Sequence, residues 1–142
     1  MWNIYAVIHL VLSSIAFTVT DLKFHKIYNK HLGCALLFAA PFLTLGNMAT
    51  GALNYCFYNC LYRASRGAIG FGDVRLAFLI GIYSHRFTEK ISSIVAANLI
   101  SWVCAGIMAV ILRIWKRRNL EDRLAFAPFM FLGLIISLPI NH

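Results

Sequence analysis

Two carboxylates stand where a carboxylate is costly. Asp21 closes the apolar run Trp2–Thr20, and Asp73 opens another in the stretch GFGDVRLAFLIGIY over residues 70–83. Each sits where an apolar segment meets polar chain, and an ionisable group at membrane depth carries a functional expectation. Two carboxylic acids in one partly dry cavity share a proton: the ionised one takes a proton from water while the protonated one polarises a carbonyl. That is the chemistry of amide hydrolysis, and such a pair titrates as one coupled unit. Taken singly, Asp73 reads equally well as a helix N-terminal carboxylate favoured by the dipole, and Asp21 as loop. Gly70 and Gly72 allow close backbone approach or positive φ ahead of a helix, so that Asp73 can project into a cavity. The glycine pair does not form a phosphate loop, because no Gly-Lys-Ser/Thr follows it. The other three acids read as solvated: Glu89 beside Lys90, and Glu121 and Asp122 among basic residues.

The elements that must position these acids follow from composition. Of 142 residues, 61% are hydrophobic and 13% charged, with a mean hydropathy of +0.74. That excludes an ordinary soluble domain and predicts an all-α, polytopic membrane helix bundle, a single membrane-embedded domain over residues 1–142 with no soluble domain. The formal charge of +8 does not point to nucleic acid, because the basic residues fall in clusters between apolar runs rather than along one face.

About 20 apolar residues cross a bilayer, and six candidate spans emerge: Trp2–Thr20, Leu32–Met48, Gly51–Tyr62, Gly70–Tyr83, Ile91–Ile114 and Leu124–Ile140. The third is weak, with Asn54 and Asn59 inside it, and a hairpin dipping partway is the competing reading of the second and third together. Of the 13 Lys and Arg, all but Arg86 and Lys90 fall on one side in the six-span arrangement. Short cytoplasmic loops are enriched in these residues, which predicts both termini outside and both aspartates at the cytoplasmic boundary. The first run lacks a basic n-region and a small-x-small cleavage site, so it is expected to be retained as a helix. Cys34, Cys56, Cys60 and Cys104 lie in apolar segments and read as small hydrophobes. Cys56 and Cys60 share a helical face, but no further soft ligand accompanies them, so neither metal nor cofactor is expected.

Three stretches together resemble one family. Gly70-Phe71-Gly72-Asp73-Val74-Arg75-Leu76 is similar to the GxGD-x-K motif of the type IV prepilin peptidases, intramembrane aspartyl proteases of the GxGD class. Asp21-Leu22-Lys23-Phe24-His25-Lys26-Ile27-Tyr28-Asn29 resembles the family's D-x5-I-P-N segment, and Phe126-Ala127-Pro128-Phe129-Met130-Phe131-Leu132-Gly133 its PFGPFLALG stretch. The order matches, and the three span nearly the whole chain. Tyr28 stands where proline is usual, Arg75 where lysine is, and Ala125 and Ala127 where Pro and Gly are common. The change at 28 leaves the loop after Asp21 more pliable or lets the next helix begin sooner.

The resemblance implies Asp21 and Asp73 as the catalytic pair, with Gly70, Gly72, Arg75, Asn29 and Pro128 as supporting motif residues. It implies a prepilin or pseudopilin substrate, cut between a short basic leader at the cytoplasmic surface and an apolar helix, commonly after Gly. The chain resembles the short, peptidase-only form of Tad/Flp-type pilus systems, since it carries neither an N-terminal extension nor paired CxxC motifs. No methyltransferase activity is therefore expected. The implied setting is the inner membrane, with lipid and pilus or secretion machinery as partners. Two other readings stay open: an inert relative acting in assembly, and a small proton-coupled transporter using the two acids.

Overall fold

A computed structural model of the chain describes residues 2–65, 69–116 and 124–140. Arg66, Arg117, Arg118 and Arg123, counted among the cytoplasmic basic residues, and Glu121 and Asp122 lie outside them. The described residues form α1 (Trp2–Phe24), α2 (Asn29–Ala39), a 3-10 turn (Ala40–Phe42), α3 (Leu45–Ala64), α4 (Phe71–Thr88), α5 (Ile91–Lys116) and α6 (Ala127–Ile140). All are helices, and no strand occurs among the described residues.

Two of these are long and apolar enough to cross a membrane on their own: Ile4–Phe24, 21 residues, and Ile91–Trp115, 25 residues. Their outer faces are apolar, with Leu12, Ile15, Val103 and Ile107 all more than half exposed. A shorter apolar stretch, Ala127–Leu138, occupies α6.

The expected second span, Leu32–Met48, is not one helix. Pro41 lies in the 3-10 turn, and Thr44 restarts the chain as the N-cap of α3, its hydroxyl accepting from Asn47 N–H at 3.2 Å. The Asn47 side chain donates back to the Phe42 carbonyl at 2.8 Å and holds the break. Proline cannot donate within a helix interior and clashes with the preceding turn, so the helix stops there. At 11 residues, α2 is only about 16 Å long, short of the ~30 Å hydrocarbon core. The third segment, expected to be the weak one over Gly51–Tyr62, is instead the longer helix, with 20 residues. Its Asn54 is buried against α4, donating to the Ala77 carbonyl at 2.8 Å.

The short apolar run that follows Asp73 has a different explanation from lipid. α4 touches all five other helices, and Val74, Leu76, Ala77, Leu79, Ile80, Ile82 and Tyr83 along it are fully or almost fully buried. A helix apolar on every side is a central helix. At its far end the Tyr83 hydroxyl sits 2.7 Å from Nδ1 of His9 and 3.1 Å from Oγ of Ser13, both on α1. A buried phenol with these partners fixes α1 against α4, and with it the relative position of the segments that carry the two aspartates.

Candidate active site

Asp21 lies in the last turn of α1 and is 6% exposed. Its Oδ2 accepts a hydrogen bond of 2.9 Å from the backbone N–H of Ala127, the first residue of α6. The first N–H groups of a helix have no partner within it, so Asp21 caps α6 from another helix. Pro128 follows Ala127 in that first turn, where a missing N–H costs nothing and the fixed φ suits the helix. The third motif thus supplies a helix start whose donor meets the first aspartate.

Asp73 is the third residue of α4, whose N-cap is Gly70. Its backbone N–H donates to the Gly70 carbonyl at 3.0 Å, and its carboxylate folds back toward the same residue: a Cβ at position 70 would stand 3.0 Å from Asp73 Oδ2. Gly70 is therefore needed for close approach of the carboxylate. Gly72 answers a second demand, since a Cβ there would come 2.9 Å from Cβ of Ile27. The first turn of α4 lies directly on the segment that follows Asp21. Neither glycine adopts positive φ, Gly70 being extended at φ −69° and ψ 138°. Close packing, rather than unusual dihedrals, is the reason for the pair.

The chain between the aspartate helices is held over the site. α1 ends as His25 turns into the left-handed region at φ 48°, its N–H donating to the Asp21 carbonyl at 2.8 Å. Tyr28 is extended, φ −77° and ψ 132°, and α2 begins immediately after it. A proline would fit that φ, so tyrosine keeps a proline-like entry to the helix. Asn29 and Arg75 meet: the guanidinium donates to Asn29 Oδ1 and lies 4.4 Å over the Phe71 ring. The planar guanidinium makes both contacts at once. Arg75→Lys retains a donor and a cation and is expected to be tolerated. Arg75→Leu removes both and is expected to loosen residues 25–29, read as faster amide hydrogen exchange there. Unchanged exchange in Arg75→Leu would show that the clasp does not hold the loop.

These contacts enclose a cavity of about 600 Å³. Asp21 and Asp73 both line it, with residues 25–29, Tyr58, Trp102 and Phe126. All five supporting motif residues adjoin this region: Gly70, Gly72 and Asn29 in its lining, Arg75 bonded to Asn29, and Pro128 next to the Asp21 partner. The arrangement sets two carboxylates on one cavity, where an ionised carboxylate can accept a proton and a protonated one can donate.

Sequence reasoning missed part of the wall. Tyr58 and Trp102 were not singled out, although each is preceded four residues earlier by an asparagine, Asn54 and Asn98. The repeated Asn-x-x-x-aromatic pattern in two adjoining helices was the available signal, because polar amides inside apolar helices bond across them. Compared with known proteins, the chain matches no protein-family model, no curated protein and no solved structure.

Proposed function

We propose that this protein is a membrane-embedded aspartyl endopeptidase, a prepilin leader peptidase of the GxGD type, with Asp21 and Asp73 as its catalytic pair. The single observation that carries the reading is convergence. Three motifs separated by tens of residues meet at one end of the bundle and place both carboxylates on one cavity. A capping role would explain Asp21, and a first-turn role Asp73, but neither explains why the two face the same space.

In the proposed reaction the ionised aspartate takes a proton from water as the water oxygen attacks the scissile carbonyl carbon. The protonated aspartate donates to the carbonyl oxygen, giving a tetrahedral diol. Collapse breaks the C–N bond, returns a proton to the leaving amine and restores one ionised and one protonated carboxyl. The backbone donor at Ala127 orients the Asp21 carboxylate through this cycle, and the Gly70–Asp73 turn orients its partner.

The six helices are proposed to cross or line the membrane as one multi-pass unit in the inner membrane, α2 and the break at Pro41 packing within it as a partial hairpin. Lys23, Lys26, Lys30, Arg63 and Arg75 lie near the aspartate end of their segments and Arg86 and Lys90 near the other, a bias that by the positive-inside rule supports the proposal of a cavity at the cytoplasmic face. A bond between a basic leader and an apolar helix would lie at that depth.

The test is the mass of a prepilin co-expressed with this chain. Loss of the leader with the wild-type chain and retention without it supports the reading. An intact prepilin in both sets it aside, and proton flux into vesicles by the same preparation would put a transporter in its place.

A further inference from the structure

The geometry points to Trp102 as a specificity-determining residue of this cavity, the surface that receives the substrate side chain on the membrane side of the cut. The inference rests on the peptidase reading and deepens it.

Trp102 lines the cavity with the aspartates and is 39% exposed. It is not an interfacial anchor: eleven residues of α5 precede it and fourteen follow, whereas aromatic belts sit at helix ends. Trp115, 85% exposed at the last turn of the same helix, fits that role. Trp102 instead presents a partly uncovered apolar ring to the cavity.

The ring is held in one orientation. Its Nε1–H donates to the Tyr58 hydroxyl at 3.0 Å, and its plane stands edge-on to the Tyr58 ring, 6.2 Å between centroids at 79°. Tyr58 is fully buried and donates in turn to Asn98 Oδ1 at 3.4 Å. The Asn98 amide donates to Asn54 Oδ1 at 2.8 Å, and the Asn54 amide to the Ala77 carbonyl at 2.8 Å. The chain of bonds runs from α5 through α3 to α4, ending four residues beyond Asp73 on the same helix. A seam between apolar helices needs no such network to pack. Buried polar networks with every member partnered do fix a unique arrangement, and what this one fixes is the indole face relative to the Asp73 helix. Tyr58 and Asn98 are positioning residues; Trp102 is the surface they position.

Depth assigns the substrate position. Asp73 is in the first turn of α4, while Tyr58 is six residues before the end of α3 at that same end of the bundle. Trp102, bonded to Tyr58, therefore lies deeper in the bundle than the carboxylates. A substrate whose leader is on the near side of the cut places its first apolar residue there. A fixed apolar wall of this kind favours a bulky aliphatic or aromatic side chain over a small one, and pocket contacts of this kind discriminate by about 10- to 200-fold.

The experiment uses the full chain in liposomes and synthetic peptides with a lysine-rich leader ending in Gly, one varied residue, then an apolar helix of leucine and alanine. The readout is the ratio of kcat/KM for Leu over Ala at the varied position. The wild type is expected to favour Leu by at least about ten-fold. Trp102→Ala is expected to bring the ratio close to one, Trp102→Phe to keep most of it, and Tyr58→Phe, which frees the indole while retaining the ring, to lower it between these limits with Tm little changed. A ratio that survives Trp102→Ala, or a wild type with no preference, overturns the inference while leaving the peptidase reading intact. A wild type that cleaves none of the peptides overturns the peptidase reading and this inference with it.

Discussion

Asp73→Asn and Asp21→Asn should each abolish cleavage of a prepilin, with a loss on the order of 10⁴-fold or more, as for removal of a group from a concerted catalytic set. Asparagine is chosen because it isolates ionisation. In Asp21→Asn the side-chain oxygen can still accept from the Ala127 N–H, now made at 2.9 Å, so α6 keeps its cap and the protein should remain folded and inserted. In Asp73→Asn the first turn of α4 retains a side chain able to accept from the backbone at Gly70. The double variant should be no more impaired than either single one, since a proton shared by two carboxyls is lost when either is removed. Normal processing by Asp73→Asn would end the two-aspartate mechanism. A double variant far weaker than the product expected from one shared step would show that the acids act independently.

The second large effect is structural and acts at a distance from the chemistry. α5 and α6 pack closely at Gly133, where a Cβ would enter the space of the Ser101 hydroxyl and the Ala97 carbonyl oxygen and come 2.9 Å from the Ser101 backbone nitrogen. Ser101 already donates to Ala97 at 2.6 Å, so neither group has room to retreat. Overpacking of this kind costs about 1–3 kcal/mol and more when backbone must move, and at roughly 2–4 °C per kcal/mol Gly133→Ala should lower Tm by about 10 °C. Ser101→Ala added to it should restore little, because the backbone oxygen of Ala97 remains. Gly133→Val should prevent accumulation of folded protein. Because α6 carries the Ala127 donor, Gly133→Ala should also reduce cleavage more than an equally destabilising change in α1 away from the site. An Ala variant as stable as the wild type would show that the two helices are not this close.

The legible and illegible parts of this protein divide along physical lines. The helical class was legible because 61% hydrophobic composition with basic clusters between apolar runs leaves little else for the backbone to do in lipid. Asp21 and Asp73 stood out because so few acids occur, and Gly70 and Gly72 because they stand just before Asp73; Asn29, Arg75 and Pro128 were legible only through the resemblance of their stretches to the prepilin peptidase motifs. Helix boundaries between residues 32 and 62 were misplaced. Hydropathy runs on through Pro41 without a dip, whereas the break there depends on one missing donor and on the bonds of Thr44 and Asn47.

What the sequence alone determined is the chemistry on offer: two carboxylates, the glycines that let one of them sit tight against its helix, and an apolar frame with basic residues toward one side. What only the tertiary structure decided is which groups meet. That Asn29 reaches Arg75, that Gly72 is small for the sake of Ile27, and that Asp21 caps α6 are contacts between residues 45 to 106 positions apart. Local sequence carries propensity and spacing, but a contact across helices is settled by how a central helix is wrapped by five others. The two asparagine–aromatic pairs make the same point, since each is an unremarkable turn of helix until Asn98 finds Asn54 and the indole of Trp102 finds Tyr58.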